Sequence, residues 1–187
     1  PITSLERIAM TTPVYPAPSV QAVAQNRLKE KSFANNLGIA TAPFRAVASA
    51  EELHDAVAEI GTPSVLKTVR MGYDGKGQVT IKADTDLDSA WTQSGAGPAT
   101  DGGILEGFVA FDCEISVIVA RGIDGETSAF IPVENRHANH ILDETIAPAD
   151  IPAATIDAAN DIAIRLAQGL DVVGLLAIEM FVTPDGN

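Results

Sequence analysis

The sequence predicts an α+β protein, in which helices and strands occupy separate stretches of the chain. Apolar residues recur at helical spacing over residues 19–38, 49–61 and 152–169,. From Ser64 onward the pattern changes to the alternation that is typical of strands,. The segment Gly122-Ile123-Asp124-Gly125 separates two of these strands in the manner of a hairpin turn,. Antiparallel hairpins therefore dominate the middle of the chain.

Local signals bound the predicted helices. Residues 1–18 are rich in proline and aperiodic, which predicts a linker or the tail of a preceding unit,. Ser19 is a candidate N-cap for the first helix, and Gly38 is placed to end it. The segment Ser49-Ala50-Glu51-Glu52 matches a capping box and predicts a second helix that ends at Gly61,.

The remaining predicted elements are strands and two further helices. The helices cover residues 86–93 and 152–169, and loops cover residues 70–77 and 95–103. Pro184-Asp185-Gly186 is a turn sequence that directs the chain back after the last strand,. The strands are predicted at residues 44–47, 64–69, 78–82, 104–109, 114–121, 127–133 and 172–183,.

Composition excludes several classes of protein. The net charge of −13 repels phosphate backbones and argues against a nucleic-acid-binding protein,. No apolar run is long enough to span a bilayer, so no membrane association is expected,. Cys113 is the only cysteine, which favours a reducing, cytoplasmic compartment, and its apolar surroundings predict a packing role,.

A glycine-rich loop is the first candidate site. Gly72-Tyr73-Asp74-Gly75-Lys76-Gly77-Gln78 lies between two predicted strands. Three glycines let the backbone approach an anion closely and direct N–H groups at it. The alternative is a flexible hairpin with a turn-forming Asp-Gly. The basic residues Arg27, Lys67, Arg70 and Lys76 gather around this loop in the sequence.

Lys67 lies in the strand that precedes the loop. Alternation places it on the same face as Val65 and Val69,. Burying an ammonium group there is unfavourable unless an anion meets it. The alternative is that the side chain extends to solvent at a sheet edge.

Three glutamates are further candidates. Glu106 and Glu114 flank a predicted strand end, where free backbone N–H and C=O groups can contact adenine. A nearby carboxylate can accept hydrogen bonds from ribose, and surface charges are the alternative. Glu179 shares a strand face with Leu175 and Phe181, so the pattern predicts an inward carboxylate. Such a group needs either a buried base or a metal, and Mg²⁺ at nucleotide sites takes one or two carboxylates.

The histidines do not form a metal site. His54 lies on a predicted helix face, and His137 and His140 lie in a predicted polar turn. Their spacing does not complete a zinc site, and no cysteine pair is present,. No nucleophile motif indicates a hydrolase.

Taken together, these motifs resemble the ATP-grasp superfamily, and within it the 5-(carboxyamino)imidazole ribonucleotide synthases. The likeness runs from Arg27 to the end of the chain, in the family's order and spacing. It is carried by Asn26 to Lys31, Thr41 to Phe44, Val65 to Thr68, Gly72 to Gln78, Ile104 to Glu106, Glu114 to Val117, Ala120 to Gly122, Glu134-Asn135 and Glu179 to Gly186.

The resemblance implies an ATP-grasp fold with a small lid subdomain, a larger antiparallel sheet and helices. It implies four segments: a linker or tail over residues 1–26, a helical entry over 27–62, the lid with its phosphate loop over 63–110, and the C-terminal sheet over 111–187.

The resemblance also implies a role for each matched residue. Arg27, Lys67 and the Gly72 to Gln78 loop would hold the triphosphate, and Lys67, Asp74 and Lys76 would act in catalysis. The adenine pocket would consist of Glu106, Gly107, Phe108 and Val109. Glu114 would hold the ribose, His137 would complete the nucleotide site, and Glu179 would bind magnesium.

The implied reaction begins when ATP phosphorylates bicarbonate. The carboxyphosphate, or carbon dioxide from it, then meets the amine of aminoimidazole ribonucleotide. Positioning and charge neutralisation by Lys67 and magnesium are what phosphoryl transfer requires. The expected partners are ATP, bicarbonate and aminoimidazole ribonucleotide, and the family implies a homodimer.

The chain departs from the family pattern at several positions. Asn26 replaces Asp, Met71 replaces a common Gly, and Asn139-His140 replaces Asp-Gly. The resemblance also implies that an N-terminal domain and a returning C-terminal strand with a second metal-binding glutamate are absent, so that the fragment alone is expected to lack full synthase activity.

Other interpretations stay open at this point. One is a different ATP-grasp ligase of purine synthesis, such as the formate-using transformylase. Another is a nucleotide-binding module without catalysis. A purely structural domain would leave Lys67 and Glu179 facing apolar neighbours without a ligand.

Overall fold

The structure is a computed structural model that describes residues 2–72 and 76–185. It is α+β and contains two antiparallel sheets, which agrees with the predicted fold class. Its helices are α1 Ile2–Ala9, α2 Pro18–Ala24, α3 Arg27–Asn36, α4 Ala50–Ile60, α5 Leu87–Ser94 and α6 Ala153–Gly169, with a 3₁₀ turn at Pro98–Thr100. Its strands are β1 Phe44–Val47, β2 Ser64–Thr68, β3 Gln78–Ile81, β4 Gly103–Gly107, β5 Cys113–Arg121, β6 Thr127–Ala129, β7 Val133–Ala138, β8 Ile141–Ile146 and β9 Gly174–Val182.

The chain divides into two compact units. The four-stranded unit contains Gln25–Asn35 and Ala40–Val109, and its sheet has the order β1-β4-β2-β3. The five-stranded unit contains Pro1–Ala24, Asn36–Ile39 and Ala110–Asn187. Its sheet has the order β6-β5-β7-β8, with β9 also paired to β5.

The core of the four-stranded unit lies between one face of its sheet and the helices α4 and α5. Leu66 and Leu105 are fully buried on that face and pack with Leu53 and Ala56 of α4 and Ala90 of α5. Alternation along β2 and β4 then places Lys67 and Glu106 on the opposite face,. The sequence pattern of these strands therefore decides which side chains are available for a site.

The core of the five-stranded unit forms where α6 packs on β5. Ile115 and Val117 of β5 are buried against a row of small α6 side chains at intervals of four residues: Ala159, Ala163 and Ala167. Alanines let a helix lie close to a sheet, because they add little volume between the two backbones. Cys113 packs beside this core, which confirms its predicted packing role.

The helices predicted over residues 49–61 and 86–93 are confirmed as α4 and α5. Ser49 Oγ accepts a hydrogen bond from the Glu52 N–H at 3.3 Å, and Asp86 caps α5 in the same way,. Gly61 and Gly95 follow the two helices with positive φ angles of 88° and 71°,.

Two helical expectations were wrong. Residues 2–9 form the helix α1, within a stretch for which the sequence predicts no periodic element. The single helix predicted from Ser19 to Gly38 is two helices, because Asn26 caps α3: its side chain accepts a hydrogen bond from the Lys29 N–H at 3.0 Å. Asparagine favours an N-cap over a helix interior, so it divides an otherwise continuous pattern.

Strand boundaries differ in the five-stranded unit. The strand predicted over residues 127–133 is broken into β6 and β7, because Pro132 has no N–H to donate to a ladder,. The predicted polar turn around His137 is a β-hairpin instead. Ala138 pairs with Ile141, and Asn139 and His140 form its two-residue turn with φ angles of 53° and 65°,.

No helix among the described residues is long and apolar enough to cross a membrane.

We expect the Ala163→Leu substitution to reduce the free energy of unfolding by about 1 to 3 kcal/mol, because the added side chain must be accommodated between α6 and β5. Ala158→Leu on the exposed side of the same helix is the control and should change it by less than about 0.5 kcal/mol,. Urea unfolding followed by circular dichroism measures both. Equal effects at the two positions would contradict the described α6 packing.

Candidate functional site

The β2–β3 hairpin carries the glycine-rich loop. Lys67 pairs with Gln78 across the hairpin, and the Thr68 N–H donates to the Gly77 carbonyl at 2.8 Å. The hairpin pairing therefore continues to the base of the loop, and Lys76 lies in the turn before β3. The predicted loop residues at 73–75, which are Tyr73, Asp74 and Gly75, lie outside the described residues.

Thr68 explains why glycines stand at both ends of this loop. A Cβ atom at Gly77 would lie 2.8 Å from Thr68 Oγ1, and one at Gly72 would lie 3.2 Å from it. Gly77 also has a φ of 73°, which disfavours any side chain,. The Thr68 hydroxyl is buried and has no hydrogen-bond partner in the described part of the chain. Gly72 and Gly77 thus lie directly over the end of β2.

Met71 has an unusual backbone conformation in this loop. Its φ is 68°, and its side chain is largely exposed. The left-handed region favours glycine, so Met71 has a backbone conformation that is unfavourable for a residue with a Cβ atom,.

Arg27 lies beside the same loop. Its N–H donates to the Val69 carbonyl at 3.1 Å, and its guanidinium donates to the Thr68 carbonyl at 3.4 Å. A Cβ atom at Gly72 would lie 3.2 Å from the Arg27 guanidinium. Arg70 is instead bound to Gln25 and paired with Asp101. Of these two arginines, Arg27 is therefore the one at the loop.

The anion that meets Lys67 is Glu106. Lys67 Nζ lies 2.9 Å from Glu106 Oε2, and Lys31 Nζ lies 3.6 Å from Glu106 Oε1. In the strand register Val65 is opposite Glu106, so Lys67 and Glu106 form a diagonal pair on one face,. Lys67 thus lies on an inner strand and pairs with an anion, and Glu106 is a buried ion-pair partner rather than a surface charge.

The backbone after Glu106 is less available than the sequence suggests. The Gly107 N–H donates to the Pro43 carbonyl at 2.8 Å, and the Phe108 N–H donates to the Pro63 carbonyl at 3.2 Å. The expectation of free N–H groups is therefore wrong at these two residues. β4 ends between two neighbouring chain segments that use its donors. Phe108 does expose its ring, and Val109 follows it.

The open face of the five-stranded unit carries a polar network. Glu114 on β5 lies 3.0 Å from His137 Nδ1 on β7. Next to this pair, the Asn135 side chain donates to Ser116 Oγ at 3.0 Å and accepts from Thr145 Oγ1 at 3.2 Å. The strand pairing places these groups together, because Glu114 is opposite Asn135. Both predicted residues, Glu114 and His137, thus lie on one sheet face.

Glu179 lies on that same face but is not buried. It is opposite Ser116 on β5 and is exposed, as are Leu175 and Phe181. The prediction of an inward carboxylate was wrong: the even-numbered β9 side chains pack on the core, and the odd-numbered ones face away from it. Among the described residues no three histidine, cysteine, aspartate or glutamate side chains converge.

Two aromatic rings border this face. Phe111 and Phe181 stack with ring centroids 4.4 Å apart and an interplanar angle of 13°.

Cys113 lies near these rings in sequence. Burial, followed by the charges of Glu134 and Asp112, raises the pKa of its thiol. A raised pKa suppresses the thiolate, so Cys113 is not an activated nucleophile.

A sequence profile of the ATP-grasp domain matches residues 32–187. The chain belongs to the ATP-grasp family. The profile spans both the Lys67 hairpin and the polar face of the five-stranded unit.

Individual relatives refine this assignment. The chain is 40% identical, over all of its length and 51% of the relative's, to N5-carboxyaminoimidazole ribonucleotide synthase of Brucella melitensis. It is similar to a crystal structure of the ADP complex of such a synthetase, with a TM-score of 0.93, 40% identity, and coverage of 100% of this chain and 48% of that one. A formate-dependent phosphoribosylglycinamide formyltransferase of Maridesulfovibrio salexigens is 36% identical over 80% of this chain and 38% of its own length. The chain spans about half the length of the synthases it matches.

Sequence patterns alone missed several residues of these clusters. Lys31 belongs with Lys67 and Glu106, and Thr68 belongs with Arg27 and the loop glycines. Ser116 and Asn135 belong with Glu114. Lys31 could have been found from its spacing of one helical turn after Arg27,. The Asn135 contacts depend on strand register, for which the sequence carries no local signal.

We expect Gly77→Ala to destabilise the protein by about 1 to 3 kcal/mol more than Gly95→Ala. Both glycines have φ near 70°, but a Cβ atom at Gly95 meets nothing within 4 Å. Gly95→Ala therefore measures only the loss of stability that a side chain causes at positive φ. In a Thr68→Ala background the excess should disappear, because the obstructing side chain is gone. Chemical unfolding of the four variants measures these differences. An excess that persists without the Thr68 side chain would contradict the described loop packing.

Proposed function

We propose that this chain forms the nucleotide-binding core of an ATP-dependent carbon–nitrogen ligase of purine biosynthesis. Its reaction would be carboxylation of 5-aminoimidazole ribonucleotide with bicarbonate through carboxyphosphate. The products would be N5-carboxyaminoimidazole ribonucleotide, ADP and phosphate. The observation that carries the proposal is the cluster of Lys67, Arg27 and the two packed loop glycines at the end of one hairpin.

This cluster is suited to a polyphosphate. Lys67 and Arg27 supply positive charge at the base of a loop whose glycines allow close backbone approach,. Lys76 and Gln78 lie at the β3 end of that loop, and Asp74 is assigned to catalysis from the family pattern alone. In this proposal the residues bind and orient the phosphates, and Lys67 neutralises charge that develops on transfer.

The adenosine part of the nucleotide is assigned to Glu106, Gly107, Phe108 and Val109, with Glu114 at the ribose and His137 beside it. The exposed Phe108 ring offers an apolar surface for a base,. The Glu114–His137 contact holds the imidazole in one orientation,.

Magnesium is the proposed metal, and Glu179 its proposed protein ligand. An exposed single carboxylate fits an ion that takes most of its ligands from phosphate oxygens and water,. When bound, magnesium would neutralise phosphate charge. Glu179 would then fix the ion against the strand face that also carries Ser116.

Segment roles and assembly are also proposals. Residues 63–110 would act as a lid, 27–62 as its helical entry, and 111–187 as the C-terminal sheet, with 1–26 as a linker or tail. A cytoplasmic homodimer is proposed from the single cysteine and the family resemblance,. Light scattering coupled to size exclusion measures the assembly state.

We expect Lys67→Met to raise the Kd for MgATP at least about 10-fold, because a charge-assisted contact to phosphate is lost. Lys82→Met, which removes an exposed lysine after β3, is the matched control and should leave Kd unchanged. Isothermal titration of folded samples measures both. Equal affinities in all three proteins would contradict the proposed phosphate site.

The reaction itself is tested by ADP release in an intact protein that contains this chain, because the chain alone is expected to lack full synthase activity. Bicarbonate with 5-aminoimidazole ribonucleotide should stimulate release, whereas formate with phosphoribosylglycinamide should not. The reverse result would favour the transformylase alternative, to which the formyltransferase similarity gives some support. Nucleotide binding without release under either condition would favour a non-catalytic module.

A further inference from the structure

Glu106 is a buried carboxylate shared by two lysines. Only 9% of its side chain is exposed, and it lies on β4, between β1 and β2. Lys67 holds one carboxylate oxygen at 2.9 Å and Lys31 lies 3.6 Å from the other. The cluster therefore carries two positive charges and one negative charge, an excess of one positive charge next to the glycine loop.

Lys31 reaches this position from the same face of α3 as Arg27. The two residues are one helical turn apart, and Arg27 contacts the Thr68 carbonyl while Lys31 contacts Glu106,. The side chain of Lys31 is 20% exposed, which is unusual for a lysine and indicates a fixed position,. Lys29, on the same helix, is exposed and serves no such contact in the described structure.

The ion pair imposes a constraint on the proposed phosphate site. If Lys67 turns from Glu106 to a phosphate, the carboxylate loses its shorter contact while it stays buried. A buried charge without a partner is strongly unfavourable. A second cation on the other carboxylate oxygen removes this penalty, and Lys31 occupies that place.

We infer that Lys31 is a positioning residue, which keeps Glu106 neutralised while Lys67 binds the polyphosphate of a nucleotide. Lys31 acts through Glu106 and need not touch the nucleotide itself. The inference rests on the proposed function. It adds a role for Lys31 and the exchange of Lys67 from Glu106 to phosphate. It makes Glu106 the group that competes with phosphate for Lys67, and Lys31 the group that weakens this competition.

Lys31→Met should therefore raise the Kd for MgATP about 10-fold, because Lys67 becomes the sole partner of a buried carboxylate. Lys31→Arg should restore affinity to within about 3-fold of the unmodified chain, since a cation is retained. Adenosine, which has no phosphate, should bind equally to the unmodified chain and to Lys31→Met. Lys29→Met is the matched control and should bind MgATP normally.

The decisive comparison removes the carboxylate charge. In a Glu106→Gln background Lys67 has no ion pair with residue 106 to break when it binds phosphate. Adding Lys31→Met should therefore not change the affinity for MgATP. The double variant should also bind more tightly than Lys31→Met alone. A residue with only a structural role would not show this suppression, and the comparison remains valid if Lys31→Met alone does not fold.

The experiment is isothermal titration of MgATP into these variants and into Lys67→Met, with adenosine followed by NMR titration and folding checked by circular dichroism. Normal affinity in Lys31→Met together with lost affinity in Lys67→Met would overturn the inference and leave the proposed function intact. Lost affinity on adding Lys31→Met to Glu106→Gln would also overturn it, because Lys31 would then act independently of Glu106. A folded, unmodified chain that does not bind MgATP would overturn both.

Discussion

A charged glutamate buried inside a sheet is the constraint on which the four-stranded unit depends. Glu106 is tolerated there because Lys67 pairs with it from the neighbouring strand and Lys31 from a helix. Pairing fixes the register of β2 against β4, since a shift of one residue would move Lys67 to the opposite face,. In this register Leu66 and Leu105 lie on the opposite face of the sheet, where they pack in the core with α4 and α5. Electrostatics on one side of the sheet and packing on the other thus select one alignment.

The glycine loop follows from this alignment. Once β2 and β3 are in register, Thr68 lies under the loop and leaves no space for a side chain at Gly77. Arg27 then donates a hydrogen bond to the carbonyl of Thr68, and its guanidinium lies beside Gly72. The groups of the proposed phosphate site therefore meet at one short hairpin: Lys67 and the two glycines belong to it, and Arg27 binds it from α3. Rigid placement of such groups is what makes phosphate binding and transfer efficient.

In the five-stranded unit, β5 has one face that packs in the core and another that carries polar side chains. β5 directs Ile115, Val117 and Val119 toward α6, whose row of alanines allows close contact. Its other face carries Glu114 and Ser116, which contact side chains of β7. Because successive strand residues point to opposite sides, one strand can anchor the core and present polar groups at once.

The sequence by itself determined the α+β class, most helix and strand positions, the loop between β2 and β3, and Lys67 and Glu106 as candidates. These depend on local signals: apolar period, capping residues and glycine spacing. Tertiary structure decided the rest. Alternation identifies a strand's two faces but not which of them is covered, and this is why Glu179 was expected to be inward and is exposed. Partners distant in sequence, such as Lys31 with Glu106 or Ser116 with Asn135, depend on register and helix placement. Short-range patterns carry no information about such contacts, because many segments of the chain fix them together.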